Sequence, residues 1–172
     1  MLVRLAEPSD AMAVARVHVR SWQAAYRDLL PQDYLDQLRP EDRAQRYDFT
    51  TRDPQKPQTM VGVEGDSLIG FATTSPSRDA ELAGWGELCA LYVDPEFWGR
   101  GMGKALILAA RRRLVDSGFT NAILWLLEGN QRADRFYRID EWVPDGTRRA
   151  ESIWGITVNE LRYRTQLNSS RT

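Results

Sequence analysis

The chain has 172 residues, 42% of them hydrophobic, with 23 Lys and Arg against 24 Asp and Glu, one Cys and one His. That length suits one compact domain whose core needs no disulfide, and the net charge of −1 gives no long-range field to recruit nucleic acid or an acidic membrane. Cys89 and His18 cannot complete a zinc site, and no apolar run approaches the ~20 residues of a membrane helix, so a metal-independent, cytoplasmic protein with no membrane partner is expected. Residues 1–10 mix Arg4 and Glu7 and contain no signal-like apolar stretch.

Residues 2–5 fit an opening strand, and Pro8, Ser9 and Asp10 supply a helix start. Ala13, Val14, Val17, Ser21, Ala24 and Ala25 then recur at helical spacing, predicting an amphipathic helix to about Tyr26. Pro31 and Pro40 punctuate two short helical stretches, 32–38 and 41–49, before Asp53, Pro54 and Pro57 break the pattern. A hairpin is expected over 59–63 and 67–74, turning at Glu64, Gly65 and Asp66. Residues 87–93 and 123–127 are nearly unbroken apolar runs of the kind buried on both faces of a central sheet. Between them a helix starts near Gly103, buries Leu106, Ile107, Ala110 and Leu114, and closes at Gly118. A further helix over 130–139, strand signals at 142–143, a turn at Pro144, Asp145 and Gly146, and a strand over 156–163 complete the chain, with 168–172 as a disordered tail. The run Arg111, Arg112 and Arg113 fans around its helix and reads as a solvated C-terminal turn.

The densest signal lies between the first buried strand and its helix, where Gly99, Gly101 and Gly103 alternate around Arg100, Met102 and Lys104. Backbone amides at a helix start favour an anion, and Arg100 and Lys104 add charge. A P-loop would need Gly where Trp98 stands and Ser or Thr where Ala105 stands. A dinucleotide fingerprint would need its third glycine where Lys104 or Leu106 stands. Neither motif is present.

Leu91-Tyr92-Val93 followed by Trp98-Gly99-Arg100-Gly101-Met102-Gly103 resembles the GNAT superfamily of acetyl-CoA-dependent N-acetyltransferases, with Trp98 in place of the usual Gln or Arg. Asn130, Ala133, Phe136 and Tyr137 resemble that family's second helical motif, although Glu141-Trp142 stands where Gly-Phe is common. The resemblance implies one α/β domain over residues 1–167, with a mixed, twisted central β-sheet and helices on both faces. It implies acetyl-CoA as co-substrate, with the amides around Arg100 to Lys104 on its pyrophosphate and the main chain of Leu91, Tyr92 and Val93 along its pantetheine arm. Asn130, Ala133, Phe136 and Tyr137 would complete that binding site.

Acetyl transfer to an amine needs an acceptor for a proton whose pKa is about 10. Glu87, the only acid on its apolar strand, is the candidate, against the simpler reading of a strand-end Glu that reaches solvent or pairs with an Arg; Glu128 is a weaker alternative. The resemblance assigns Tyr137 as the proton donor to the departing thiolate. Cys89 reads as a buried thiol rather than a nucleophile, and His18 as a packing residue. Trp22 and Tyr26 are candidate walls for an amine acceptor, a small molecule or a peptide N-terminus. Rival readings are a transferase for another acyl-CoA and a non-catalytic module that senses a CoA-like ligand. An exposed closing strand admits a homodimer.

Overall fold

A computed structural model describes residues 1–167; the expected tail at 168–172 lies outside the described residues. Seven strands form one mixed sheet: β1 (Leu2–Leu5), β2 (Gln58–Glu64), β3 (Ser67–Pro76), β4 (Gly86–Val93), β5 (Asn121–Leu127), β6 (Val143–Ile153) and β7 (Ile156–Gln166), in the order β1-β2-β3-β4-β5-β7-β6. Neighbours pair antiparallel except β4 and β5, which are joined by a helical crossover and run parallel.

The helices divide between the two faces because successive strand residues point to opposite sides. Val61 and Phe71 pack with Val14 and Val17 of α1 (Ala11–Ala25), whereas Met60 and Ala72 pack with Leu106, Ile107, Ala110 and Leu114 of α4 (Met102–Asp116). Each fully buried Leu or Ile of this kind contributes roughly 1.5–3 kcal/mol. Close approach of α4 depends on Gly62, where a Cβ would lie 2.2 Å from Met102 Sδ. Two short helices, α2 (Gln32–Asp36) and α3 (Pro40–Ala44), follow α1, and α5 (Gln131–Ile139) follows β5.

Three expectations are corrected. Helix α3 ends at Ala44 rather than continuing to Phe49. Residues 144–146 make no hairpin turn: they lie inside β6 at a register shift, and the chain reverses at 154–155 instead. The cause is Asp145, which β7 holds in place through Arg162 Nε (2.7 Å) and Arg164, while Thr147 N donates to its Oδ1 at 2.9 Å. Arg111 is buried rather than solvated; its guanidinium reaches Asp140 Oδ2 (2.6 Å), Thr165 Oγ1 (2.9 Å) and the Gln166 carbonyl (3.2 Å), bolting α4 to the end of β7. Among the described residues no helix is long and apolar enough to cross a membrane.

Candidate active site

Strands β4 and β5 pair only at Gly86 with Ala122 and Glu87 with Ile123, then part. Their divergence opens a cleft of about 1560 Å³ between the two halves of the sheet. A bulge at Cys89, where Thr73 faces Ala90 and Thr74 faces Leu88, accompanies the split. It resets the side-chain alternation, so that Leu88, Leu91 and Val93 pack toward α4 while Ala90 and Tyr92 face α1. From Leu88 onward the β5-side edge of β4 has no strand partner among the described residues, leaving its main-chain groups, apart from the Val93 carbonyl that Ser21 and Trp98 occupy, available to an extended ligand.

The glycine loop sits where that open edge ends. Asp94 caps a 3-10 turn over Pro95–Phe97 by accepting from Glu96 N, and the chain reaches α4 through Gly99 (φ 78°) and Gly101 (φ 95°). Gly101 is the N-cap of α4 and brings no capping side chain. The first hydrogen bond into the helix runs from Ala105 N to Gly101 O at 3.0 Å, so the amides of Met102, Gly103 and Lys104 have no intrahelical acceptor. Lys104, Arg132 and Arg135 line the same part of the cleft and have no acid partner among the described residues. Unpaired donors with three cations beside them fit a diphosphate. Arg100 lies over Phe97 at 5.0 Å, and the Met102 side chain is buried in the core, so this residue offers only its main chain.

The second motif meets the first in space. Asn130 Oδ1 accepts from Ala133 N at 3.2 Å and caps α5, and Phe136 closes on Gly103, where a Cβ would come 3.3 Å from its ring. Ala133 is half-buried against the α4 core. Tyr137, one residue on, is buried and lines the cleft, with its phenol pushed up by burial and then by Tyr92 and Asp140. A phenol so raised keeps its proton at neutral pH.

Glu87 is also buried and lines the cleft. Both of its oxygens are taken by Arg78: Oε1 by the guanidinium Nη2 at 2.9 Å and Oε2 by the main-chain amide at 3.1 Å. A second buried carboxylate, Glu160, lines the cleft from β7. Its Oε1 receives Arg149 Nε at 3.0 Å and Nη2 at 2.9 Å, and burial raises its pKa against the pull of Arg149. Sequence reasoning passed over Glu160, although the alternation of Val158, Glu160 and Arg162 already places it on an inward face. Glu128 is paired with Arg148 at 2.8 Å. Burial, then Glu87, pushes the Cys89 thiol up to about 11, so thiolate at neutral pH is about one part in ten thousand.

Opposite the glycine loop, α1 supplies an aromatic wall. Trp22 and Tyr26 line the cleft as expected, and Tyr26 Oη lies 3.3 Å from Tyr92 Oη. His18, which burial and then Arg43 hold well below its usual pKa, is neutral; its Nδ1 lies 2.8 Å from Tyr47 Oη. Trp154 at the tip of the β6–β7 hairpin stacks edge-on with Trp22 at 4.7 Å, and its carbonyl accepts from Tyr34 Oη at 2.7 Å.

Comparisons with known proteins identify the family and the fold. The model of the Acetyltransferase (GNAT) family matches residues 20–140. YuaI, an uncharacterized N-acetyltransferase of Bacillus subtilis, is 32% identical over 133 residues, which cover 74% of this chain and 72% of that protein. A GCN5-related N-acetyltransferase from Rhodopseudomonas palustris superimposes with a TM-score of 0.75 at 20% identity, over 96% of this chain and 95% of that one. PaiA N-acetyltransferase from Thermoplasma acidophilum, solved in complex with coenzyme A, gives 0.67 at 18% identity, over 96% and 99%.

Proposed function

Because the chain belongs to the GNAT acetyltransferase family, we propose that it is a cytoplasmic N-acetyltransferase that moves an acetyl group from acetyl-CoA directly to an amine held in the same cleft. The observation that carries this reading is the meeting of the unpaired edge of β4 with the uncapped, glycine-started N-terminus of α4. Acetyl-CoA, when bound, supplies a thioester whose acyl carbon an amine can attack.

The amides of Met102, Gly103 and Lys104, with the side chains of Lys104, Arg132 and Arg135, would hold the diphosphate, Arg100 contributing its main chain, and the main chain of Leu91, Tyr92 and Val93 would align the arm. A main-chain N–H near Tyr92 would polarise the reacting carbonyl. Tyr137, kept protonated by its burial, would donate its phenolic proton to the leaving sulfur. Glu87 would accept the ammonium proton, with Arg78 yielding one carboxylate oxygen or a water relaying the transfer; Glu160 is a second carboxylate in reach of the cleft. Covalent transfer through Cys89 is disfavoured by the raised thiol pKa. The closing strand β7 is paired on both sides rather than exposed, so pairing of two copies would use the outer edge of β6 instead, and sedimentation tests it.

Calorimetric titration with acetyl-CoA tests the core of the proposal: a saturable heat is expected, and none at millimolar ligand would overturn it. Release of free CoA thiol over a chemically diverse amine panel then identifies the acceptor.

A further inference from the structure

The acceptor half of the cleft is charged in one direction. Residues 43–57 contribute Arg43, Arg46 and Lys56 to its lining, against Asp48 alone. Asp48 is engaged locally, accepting from Thr50 N at 2.9 Å and Thr50 Oγ1 at 2.5 Å. The other acids of this wall have their own cations: Glu87 pairs with Arg78, and Glu151 and Glu160 with Arg149.

Arg43 is the informative member. Its guanidinium lies 4.1 Å over the Trp154 ring, and its Nε points to His18 Nδ1 at 3.5 Å. A guanidinium has no lone pair to offer, so Nδ1 is the acceptor and His18 carries its proton on Nε2. Neither the indole nor the neutral imidazole supplies negative charge. Among the described residues no carboxylate lies within ion-pair distance of Arg43. The side chain is thus half-buried and oriented, and its charge is uncompensated. A second donor on the same wall is poorly matched: Trp22 is 4% exposed, and its buried Nε1 makes no hydrogen bond of normal geometry among the described residues, although it bears on the Tyr92 hydroxyl. Both residues border on Trp154, Trp22 in an edge-to-face ring pair and Arg43 with its guanidinium over the indole.

We infer that the acceptor is an amine that itself carries an anionic oxygen group, a carboxylate or a phosphoryl group, and that Arg43 is the residue that selects it. This rests on the acetyltransferase reading and adds the acceptor's class to it. The anionic group meets Arg43, the apolar body of the acceptor lies along Trp22 and Trp154, and the amine end reaches toward the carboxylates of the cleft. Arg46 and Lys56 at the rim add attraction without fixed geometry.

The test compares matched amines with and without the anion, using the enzyme with saturating acetyl-CoA and reading CoA thiol release. The pairs are L-phenylalanine with phenethylamine, L-tryptophan with tryptamine, and O-phosphoethanolamine with ethanolamine. The first two report a carboxylate and the third a phosphoryl group. In at least one pair the anionic member is expected to have the higher kcat/KM, by roughly tenfold, the size of one charge-assisted contact. Comparing that ratio between the parent and Arg43→Met cancels the intrinsic basicity of the paired amines. The ratio is expected to collapse in Arg43→Met, to invert in Arg43→Glu and to survive partly in Arg43→Lys, with melting curves confirming that each variant folds. A preference that persists in Arg43→Met, or no preference in any pair, would overturn the inference. Should none of the six amines turn over, calorimetric titration of the CoA complex with the same compounds decides: anion-dependent, Arg43-dependent binding supports the inference, and its absence overturns it. Failure of the parent to bind acetyl-CoA would instead defeat the acetyltransferase reading, so the two failures are distinguishable.

Discussion

The indole Nε1 of Trp98 donates to the main-chain carbonyl of Val93 at 2.8 Å. Ser21 Oγ donates to the same oxygen at 3.1 Å, and Arg132 of α5 lies 3.8 Å over the Trp98 ring. One side chain thus ties the end of β4, the glycine loop and α5 together. Trp98→Phe keeps a ring for Arg132 and leaves Val93 O with the serine alone. A loss of about 1 kcal/mol is expected, lowering Tm by roughly 2–4 °C. An unchanged thermal melt followed by circular dichroism would show that the tie contributes nothing.

Gly101 starts α4 at φ 95°, a backbone state that costs an L-residue roughly 1–2 kcal/mol, while space for a Cβ is open there. In Gly101→Val the strain and the added methyls fall on the amide cradle rather than the core. Acetyl-CoA affinity is expected to drop at least about tenfold, equivalent to ~1.4 kcal/mol, with the fold retained. Undiminished affinity by calorimetry would reject the cradle.

The Tyr137 hydroxyl makes no hydrogen bond to another described residue, so Tyr137→Phe should melt with the parent. Loss of a proton donor should lower kcat by roughly 100-fold when chemistry is rate-limiting. Equal turnover numbers at saturating substrates would remove Tyr137 as the acid, and a CoA-sensing module would give no turnover with either protein.

The two buried carboxylates of the cleft are separated by their pH–rate profiles. With Glu87 as proton acceptor, Glu87→Gln loses roughly 100-fold in kcat/KM near neutrality and recovers as pH rises toward the amine's own ionisation, whereas Glu160→Gln loses much less. The opposite order would move the role to Glu160, whose Oε2 is not engaged by another described residue.

Asp145 makes stability pH-dependent. Burial alone would raise its pKa, but the Thr147 amide with Arg164 and Arg162 outweighs it and holds the carboxyl at about 2, against an ordinary 3.8. A depressed carboxyl stabilises the fold fully above its unfolded pKa and loses that contribution as pH falls through the folded value. Asp145→Asn should therefore melt below the parent at pH 7, by roughly 2 kcal/mol, the size of the linkage that a shift from 3.8 to about 2 supplies. That gap should narrow from about pH 4 and close near pH 2; a gap independent of pH would reject the linkage.

Strand and helix order, the glycine loop and the Asn130 to Tyr137 motif were legible in the sequence because each is written in local terms: apolar periodicity, a left-handed glycine at a helix start, a capping Asn. Trp22, Tyr26, Glu87 and Tyr137 were legible as chemistry, and the structure brings all four into one cleft. Arg111 was misread because its partners, Asp140, Thr165 and Gln166, lie 29 to 55 positions away. The turn assigned to 144–146 failed for the same reason, since Arg162 and Arg164 hold Asp145 inside a strand. What the sequence determined by itself was the family resemblance, the two motif segments that meet at the cleft and the kind of acid–base groups available. Tertiary structure alone decided that β4 and β5 part after Glu87, that Arg78 claims both oxygens of that carboxylate, that Glu160 shares the cleft, and that Arg43 stands there without a counter-ion among the described residues. Charge compensation depends on which side chains meet across the fold, and no spacing along the chain encodes it.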